Sequence, residues 1–152
     1  MHWQGVFPAI TTPFHDDLSI DHKFLAEHIE QMIDCGCEGI VPLGSLGEAN
    51  TLTHEEKRDV IRTCVETSAG RVPIVPGVSA LSTAEGVALA QDAERLGCRG
   101  LMVLPPYVYR GDWRETSYHF REIIRATGLS CMLYNNPIAY GTDVTPDQMA
   151  DL

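Results

Sequence analysis

The sequence lacks the features that mark membrane-spanning, exported or nucleic-acid-binding proteins. No stretch approaches the ~20 uninterrupted apolar residues of a transmembrane helix. The first residues, 1–4, lack the basic start and apolar core of a signal peptide, so a cytoplasmic location is expected. Lysine and arginine number only 11 against 21 Asp and Glu, a formal net charge of -10. That balance argues against nucleic acid as a partner, because binding it needs clustered cations that replace phosphate counterions.

Cysteine and histidine occur without the spacing of a metal site or a disulfide framework. Cys35 and Cys37 form a C-x-C pair, with no second pair or histidine at ligand distance. The five cysteines are therefore expected to be buried thiols of a reducing compartment. His22 and His28 lie six residues apart on one predicted helix and cannot share a face as ligands. A metal-dependent aldolase is accordingly a distant alternative.

The composition and the order of segments predict a single α/β domain over residues 1–152. The content is 44% hydrophobic and 21% charged, which is typical of a soluble globular protein. Five apolar segments have the length of buried strands: 5–12, 38–43, 72–76, 99–104 and 129–133. Helix-capping residues mark the amphipathic segments between and after them: Asp21, Thr53, Ser82, Asp112 and Thr145. Strands that alternate with helices predict a parallel sheet.

A parallel sheet of this kind is either open and doubly wound or closed into a barrel. The glycine fingerprint of a dinucleotide-binding sheet is missing after the first strand, which favours the barrel. A complete (β/α)8 TIM barrel takes about 250 residues. We therefore expect the chain to be a fragment that supplies about the first five βα units and is truncated before the sixth strand.

Two polar motifs follow predicted strands and form the candidate site. Gly44 to Glu48 comes after the second strand, and Tyr134 to Pro137 comes after the fifth. Carboxyl ends of parallel strands meet at one edge, where barrel enzymes place their active sites. Taken from the residues alone, the first motif is also compatible with a plain strand-to-helix turn. Tyr134 by itself is compatible with a core tyrosine whose hydroxyl is satisfied.

The motifs resemble those of the dihydrodipicolinate synthase / N-acetylneuraminate lyase family. The resemblance rests on the runs 5–14, 44–48 and 134–137 and extends over the whole chain. It implies a (β/α)8 barrel, usually a homotetramer, in which a lysine forms a Schiff base with a 2-oxo acid. The implied partner is a small-molecule 2-oxo acid or cyclic imine, and no metal or organic cofactor is implied.

The resemblance also implies roles for the two motifs. The substrate carboxylate would be held by the loop formed by Gly44, Ser45, Leu46 and Gly47, chiefly by the amides of Ser45 and Leu46. The Ser45 hydroxyl and the Tyr134 phenol would be catalytic and form a proton relay. A phenol with a pKa of about 10 needs such a hydroxyl partner to move protons near neutrality.

The nucleophilic lysine is implied on the sixth strand, beyond Leu152. Lys23 and Lys57, the lysines that are present, lie on predicted amphipathic helices and are expected to face solvent. Neither is expected to form the imine. The chain is therefore either part of a class I lyase or deaminase that is active at full length, or a catalytically inactive truncated half-barrel.

Three departures from the family pattern bear on the substrate. Ala139 stands where synthases carry an arginine for the second carboxylate, and Leu46 replaces the second hydroxyl of a Thr-Thr pair. Val108 stands where a tyrosine crosses the dimer interface, although Tyr107 and Tyr109 flank it. The motifs look most like the branch that deaminates 1-pyrroline-4-hydroxy-2-carboxylate in hydroxyproline breakdown. The alternatives are 4-hydroxy-tetrahydrodipicolinate synthase or another 2-oxo acid aldolase of the family.

Overall fold

The fold consists of short parallel strands that alternate with helices, seen in a computed structural model that describes residues 1–106 and 108–152. The elements are α1 (His22–Asp34), α2 (His54–Ser68), β1 (Gly77–Val78), α3 (Thr83–Arg95), β2 (Gly100–Val103), α4 (Trp113–Arg125), β3 (Ser130–Leu133), α5 (Pro137–Tyr140) and α6 (Pro146–Asp151). Among the residues described, no helix has the length and apolar character needed to cross a membrane.

The sheet is parallel and follows the order of the chain. The three strands lie in the order β1-β2-β3, with Gly77 opposite Met102 and Gly100 opposite Ser130. Two parallel bridges extend this order towards the amino terminus, from Ala9 to Val41 and from Ile40 to Ile74. All five predicted strand segments are therefore neighbours in sequence order, and the predicted parallel pairing is confirmed.

The predicted lengths of the first three strands were wrong, because the regular strand structure there is shorter than expected. They form single bridges rather than continuous ladders, and the third strand is Gly77–Val78 instead of 72–76. Prolines at positions 8, 42, 73 and 76 explain this, because proline has no N–H to donate to a ladder. Their carbonyl groups still accept: Val41 donates to Pro8 at 2.9 Å and Gly77 donates to Pro42 at 2.8 Å. The segments thus remain paired although the prolines donate no hydrogen bond.

The predicted helix starts are confirmed. The N-caps are Asp21, Thr53, Ser82, Asp112 and Thr145, and each side chain accepts from a backbone amide of the first turn. Ser82 and Glu85 have the spacing of a capping box at the start of α3, but the box is not formed in full. Glu85 Oε1 accepts from Lys57, and Oε2 accepts from the Leu81 amide at 3.4 Å instead of the N-cap amide. The short helix α5 was not predicted.

Both faces of the sheet are covered, and successive residues of β2 show this directly. Leu101 and Val103 belong to the large cluster between sheet and helices, which includes the fully buried Phe120. Met102 and Leu104 belong to a second cluster with Val41, Val75 and Tyr140. Since side chains alternate along a strand, this second cluster lies on the opposite, inner face. Burial on both faces is typical of parallel sheets in α/β proteins.

Two expectations about single residues need correction. Lys57 does not face solvent: its side chain is 3% exposed, and its Nζ lies 2.6 Å from Glu85 Oε1. The cysteines are all unpaired, but only Cys64 and Cys98 are buried, whereas Cys35 is exposed. The Cys35 position directly follows the last turn of α1, where its backbone caps the helix and its side chain has no core to enter.

Candidate active site

The loop Gly44–Glu48 is a compact turn entered through an unusual backbone conformation. Leu43, which is fully buried, has φ 61, and Glu48 leaves the turn with φ 53. Non-glycine residues adopt this left-handed region rarely and at a cost. Within the turn, Gly47 donates to the Gly44 carbonyl at 3.0 Å and Glu48 donates to the Ser45 carbonyl at 3.1 Å. Strain at both ends of a tight turn is common at functional loops.

The turn is fixed to the first strand segment. The buried Thr12 Oγ1 donates to the Gly47 carbonyl at 2.7 Å. A Cβ at Gly47 would lie 3.0 Å from Leu43 N and 3.1 Å from Ile10 O, so the backbone here approaches its neighbours closely. Glycine at this position therefore permits the packing that holds the loop in place.

The amides of Ser45 and Leu46 are the available donors of this loop. Neither donates a hydrogen bond to any of the residues that the structure describes. Both residues are exposed, and the Leu46 side chain is directed away from the core with 64% exposure. Adjacent exposed N–H groups form the kind of concavity that binds a carboxylate or another small anion.

Tyr134 lies at the carboxyl end of β3 on the inner face of the sheet. Its amide continues the ladder by donating to the Val103 carbonyl at 2.8 Å, and its ring packs against the inner cluster. Its hydroxyl accepts from Asn136 Nδ2 at 3.4 Å, a weak contact. Tyr134 is half-buried, so its phenol is partly open to the solvent.

The phenol bonded to Ser45 is that of Tyr140, not that of Tyr134. Ser45 Oγ and Tyr140 Oη are 2.5 Å apart. Among the described residues, no hydrogen bond joins Ser45 to Tyr134, so the expected direct pairing is not formed. The two tyrosine rings are edge-to-face at 66°, with centroids 5.9 Å apart. The structure thus brings one serine hydroxyl and two phenols together at the carboxyl ends of the strands.

Sequence analysis missed Tyr140, although its position follows from local signals. Asn136 caps α5 by accepting from the Ala139 amide, Pro137 occupies the first helical turn, and Gly141 ends the helix with φ 69. An N-cap, a proline at the start and a glycine after the end together indicate a short helix. Had these signals been combined, they would have placed Tyr140 at the end of a short helix, six residues after Tyr134.

Asn135 fixes the segment that follows. Its amide donates to Asp143 Oδ1 at 3.0 Å and to the Val144 carbonyl at 3.2 Å, and its Oδ1 accepts from the Val144 amide. These contacts close the segment between β3 and α6 into a loop. The orientation of α5, and with it that of Tyr140, depends on this closure.

The positions that depart from the family pattern lie at the surface. Ala139 is exposed on α5, and Val108 is 73% exposed. The Arg110 guanidinium lies against Gly141, where it would meet any added Cβ. Tyr107, which flanks Val108, lies outside the described residues.

Comparisons with known proteins agree with this architecture. The chain matches the model of the dihydrodipicolinate synthetase family over residues 2–152. It is 39% identical over 150 residues to 4-hydroxy-tetrahydrodipicolinate synthase of Chelativorans sp. (strain BNC1), covering 99% of this chain and 51% of that protein. The chain thus spans about half the length of the curated relatives it matches.

Solved structures show the same relationship. The 4-hydroxy-tetrahydrodipicolinate synthase of Methylacidiphilum fumariolicum SolV superposes with a TM-score of 0.94 at 36% identity, over 99% of this chain and 50% of that one. The pyruvate complex of dihydrodipicolinate synthase from Acinetobacter baumannii gives 0.93 at 34%, over 98% and 51%. The chain therefore belongs to the dihydrodipicolinate synthetase family and has the fold of about the first five βα units of its (β/α)8 barrel.

Proposed function

We propose that the full-length protein is a lysine Schiff-base lyase or deaminase that acts on a small 2-oxo acid or cyclic imine. The observation that carries this proposal is the meeting of the Ser45 hydroxyl, two tyrosine phenols and two available amides at one edge of the sheet. Such a site can hold a carboxylate and move protons at an adjacent carbon. The pyruvate complex of the Acinetobacter relative supports a 2-oxo acid as the ligand class.

The substrate carboxylate would bind to the Ser45 and Leu46 amides. The turn that presents them is held by its own hydrogen bonds and by Thr12, so the amides need little rearrangement on binding. Preorganised donors of this kind stabilise negative charge without the cost of reorganising the site. Gly44 lies beside the inner cluster, where an added Cβ would make ordinary contact with Met102 Cε at 3.6 Å.

The hydroxyl groups of Ser45 and Tyr134 would transfer protons as the carbinolamine forms and loses water. Tyr134 is half-buried beside the inner cluster, where its ring is positioned and its hydroxyl stays accessible. Positioned acid–base groups contribute roughly 10²- to 10⁴-fold to rates. Tyr134 would act on the substrate beside Ser45, since among the described residues the two hydroxyls are not bonded to each other.

We place the Schiff-base lysine outside residues 1–152. Lys23 is 88% exposed on α1, and Lys57 is bound to Glu85 on the helical side of the sheet. Neither lies beside Ser45 or Tyr134 on the inner face. An imine-forming lysine must reach the substrate, whereas the Lys57 ammonium is directed to Glu85 between α2 and α3.

For the reaction itself we propose deamination of 1-pyrroline-4-hydroxy-2-carboxylate to 2,5-dioxopentanoate. Ring opening and dehydration consume one water molecule overall and release one ammonia. Ala139 supports this choice, because an uncharged side chain suits a substrate with one carboxylate. The exposed Leu46 adds an apolar surface instead of a hydroxyl beside the amides.

The alternative reaction is synthesis of 4-hydroxy-tetrahydrodipicolinate. The names of relatives 35 to 39% identical favour it. The Arg110 guanidinium beside Gly141 favours it too, since a cation near α5 would suit a second carboxylate. A catalytically inactive half-barrel is the remaining alternative.

Borohydride trapping of the full-length protein with pyruvate tests the Schiff base. A lysine adduct detected by mass spectrometry is expected outside residues 1–152, and its absence with both pyruvate and the pyrroline substrate would refute the proposal. Ammonia release from 1-pyrroline-4-hydroxy-2-carboxylate, compared with formation of 4-hydroxy-tetrahydrodipicolinate, then separates the two reactions. The variant Ser45→Ala should lower turnover in whichever reaction is real, whereas Lys23→Met should not.

A further inference from the structure

We infer that Tyr140 is a positioning residue that holds the Ser45 hydroxyl and exchanges a proton with it. The inference rests on the proposed function, because it gives Ser45 a role at the reacting carbon. It adds a second phenol to a relay that would otherwise consist of Ser45 and Tyr134 alone.

The contact itself is a direct hydrogen bond between two hydroxyl groups. Ser45 Oγ and Tyr140 Oη are separated by 2.5 Å, at the short end of the range for O–H···O bonds. The two residues are 95 positions apart in the chain, so the tertiary fold brings them together. Tyr140 is 5% exposed while Ser45 is exposed, which places the phenol behind the serine as seen from the solvent.

The surroundings of Tyr140 restrict its ring to one orientation. The ring packs in the inner cluster with Met102 and Leu104 and meets Tyr134 edge-to-face. Its backbone is held in α5, whose cap at Asn136 and left-handed end at Gly141 determine where the helix starts and stops. A phenol fixed in this way can hold the exposed serine in a single rotamer, which a free serine would not keep.

The bond also suits the transfer of a proton. Each hydroxyl carries one proton and two lone pairs, so Ser45 can donate to the substrate while it accepts from Tyr140. When the proton moves the other way, Ser45 accepts from the substrate and donates to Tyr140. Tyr140 is left as a phenolate after the first transfer and regains its proton in the second, so the pair is unchanged over one cycle. No oxidant, reductant or metal is needed for this step.

A double-mutant cycle in the full-length enzyme tests whether Tyr140 acts through Ser45. We expect Tyr140→Phe to lower kcat about 10- to 100-fold, at or below the lower end of the roughly 10²- to 10⁴-fold contribution of a direct acid–base group, and to change KM by less than about threefold. The double variant Ser45→Ala/Tyr140→Phe should be no slower than Ser45→Ala alone, because residues in one relay are not additive. Multiplicative losses, or an unchanged kcat in Tyr140→Phe, would overturn the inference.

The pH dependence separates a relay from a purely structural role. Replacing Tyr140 by a ring-fluorinated tyrosine, whose phenol is more acidic, should move the kcat–pH profile to lower pH with the fold unchanged. The same replacement at Tyr118, which is 59% exposed on α4, is the matched control and should move nothing. A profile that stays fixed for both positions would refute proton transfer through Tyr140.

The two proposals fail in different ways. If the wild-type protein forms no borohydride-trapped adduct, the proposed function is wrong. If the wild type forms the adduct and turns over, but Tyr140→Phe keeps wild-type kcat and pH profile, only the role of Tyr140 is wrong. Circular dichroism and thermal unfolding of Tyr140→Phe confirm that the variant is folded before its kinetics are compared.

Discussion

The ion pair between Lys57 and Glu85 joins two neighbouring helices, and removing its two partners should have unequal effects. The Lys57 ammonium is 3% exposed and the Glu85 carboxylate is 31% exposed, at an Nζ–Oε1 distance of 2.6 Å. Lys57 is on α2 and Glu85 is in the first turn of α3. We predict that Glu85→Gln is clearly more destabilising than Lys57→Met.

The two losses of stability are expected to differ because the Lys57 ammonium is more deeply buried than the Glu85 carboxylate. Glu85→Gln leaves a buried ammonium without a counter-charge, a change that costs roughly 3–5 kcal/mol in fully buried pairs. Because the carboxylate side is partly hydrated, we expect about 2–3 kcal/mol here. Lys57→Met keeps the volume of the side chain and leaves a carboxylate that water can reach, so its cost should be within about 1 kcal/mol of zero.

Unfolding of the full-length protein by urea, followed by circular dichroism, measures these differences. The exposed pair of Lys23 and Glu27, 3.9 Å apart on α1, is the matched control, and Lys23→Met should cost about 0.3–0.5 kcal/mol or less. A larger loss of stability in Lys57→Met than in Glu85→Gln would refute the argument from burial. So would a control variant that costs as much as Glu85→Gln.

The pH dependence of the free energy of unfolding gives an independent check, because the lowered pKa of Glu85 predicts whether stability rises or falls with pH. Burial by itself raises the pKa of the Glu85 carboxyl, but the hydrogen bond and charge of Lys57 outweigh it and hold the pKa below its ordinary value. A lowered pKa in the folded state contributes stability that is present above the ordinary carboxyl pKa. That stability is lost as the pH falls through the lowered value. Glu85→Gln should therefore flatten the acid limb of the stability–pH curve.

Two further predictions concern the loop and the thiols. Thr12→Val removes the buried bond to the Gly47 carbonyl and should cost about 1–2 kcal/mol in urea unfolding and weaken pyruvate binding, while Thr12→Ser should restore both. Equal stability of Thr12→Val and the wild type would contradict the proposed anchoring of the loop. Burial raises the pKa of the Cys98 thiol to about 12, whereas Cys35 is exposed, so maleimide should label Cys35 rapidly at pH 7 and Cys98 only on unfolding. Equal labelling rates in the folded protein would show that the region around Cys98 opens readily.

Local sequence signals predicted most of the secondary structure because their causes are local. A capping side chain bonds an amide two or three residues away, as Thr53 does at the start of α2 with its reciprocal partner Glu56. The glycines that follow the C-caps of α1 and α3 likewise take φ 87 at Gly36 and φ 93 at Gly97. Such interactions depend on a few consecutive residues, and the rest of the chain does not alter them.

The errors arose where a distant residue decided the outcome. Lys57 has an ordinary place on an amphipathic helix, and only the approach of Glu85 from the next helix explains its burial. Glu85 Oε1 accepts from Lys57 and Oε2 from the Leu81 amide, so Glu85 does not complete the capping box with Ser82. A carboxylate bonds whichever donor lies nearest in space, and the sequence does not contain that distance.

The candidate site shows the same division between sequence and structure. By itself the sequence determined the parallel sheet, because strands that alternate with helices are visible as a local pattern. It also determined the glycine turn after the second predicted strand and the tyrosine after the fifth, since both directly follow an apolar segment. It also carried the motifs by which the family was recognised. Only the tertiary structure decided that Ser45 meets Tyr140 instead of Tyr134, since two residues 95 positions apart are joined by the packing of the inner face and the closure around Asn135. Hydrogen bonds between distant side chains depend on fractions of an ångström, and that precision comes from packing.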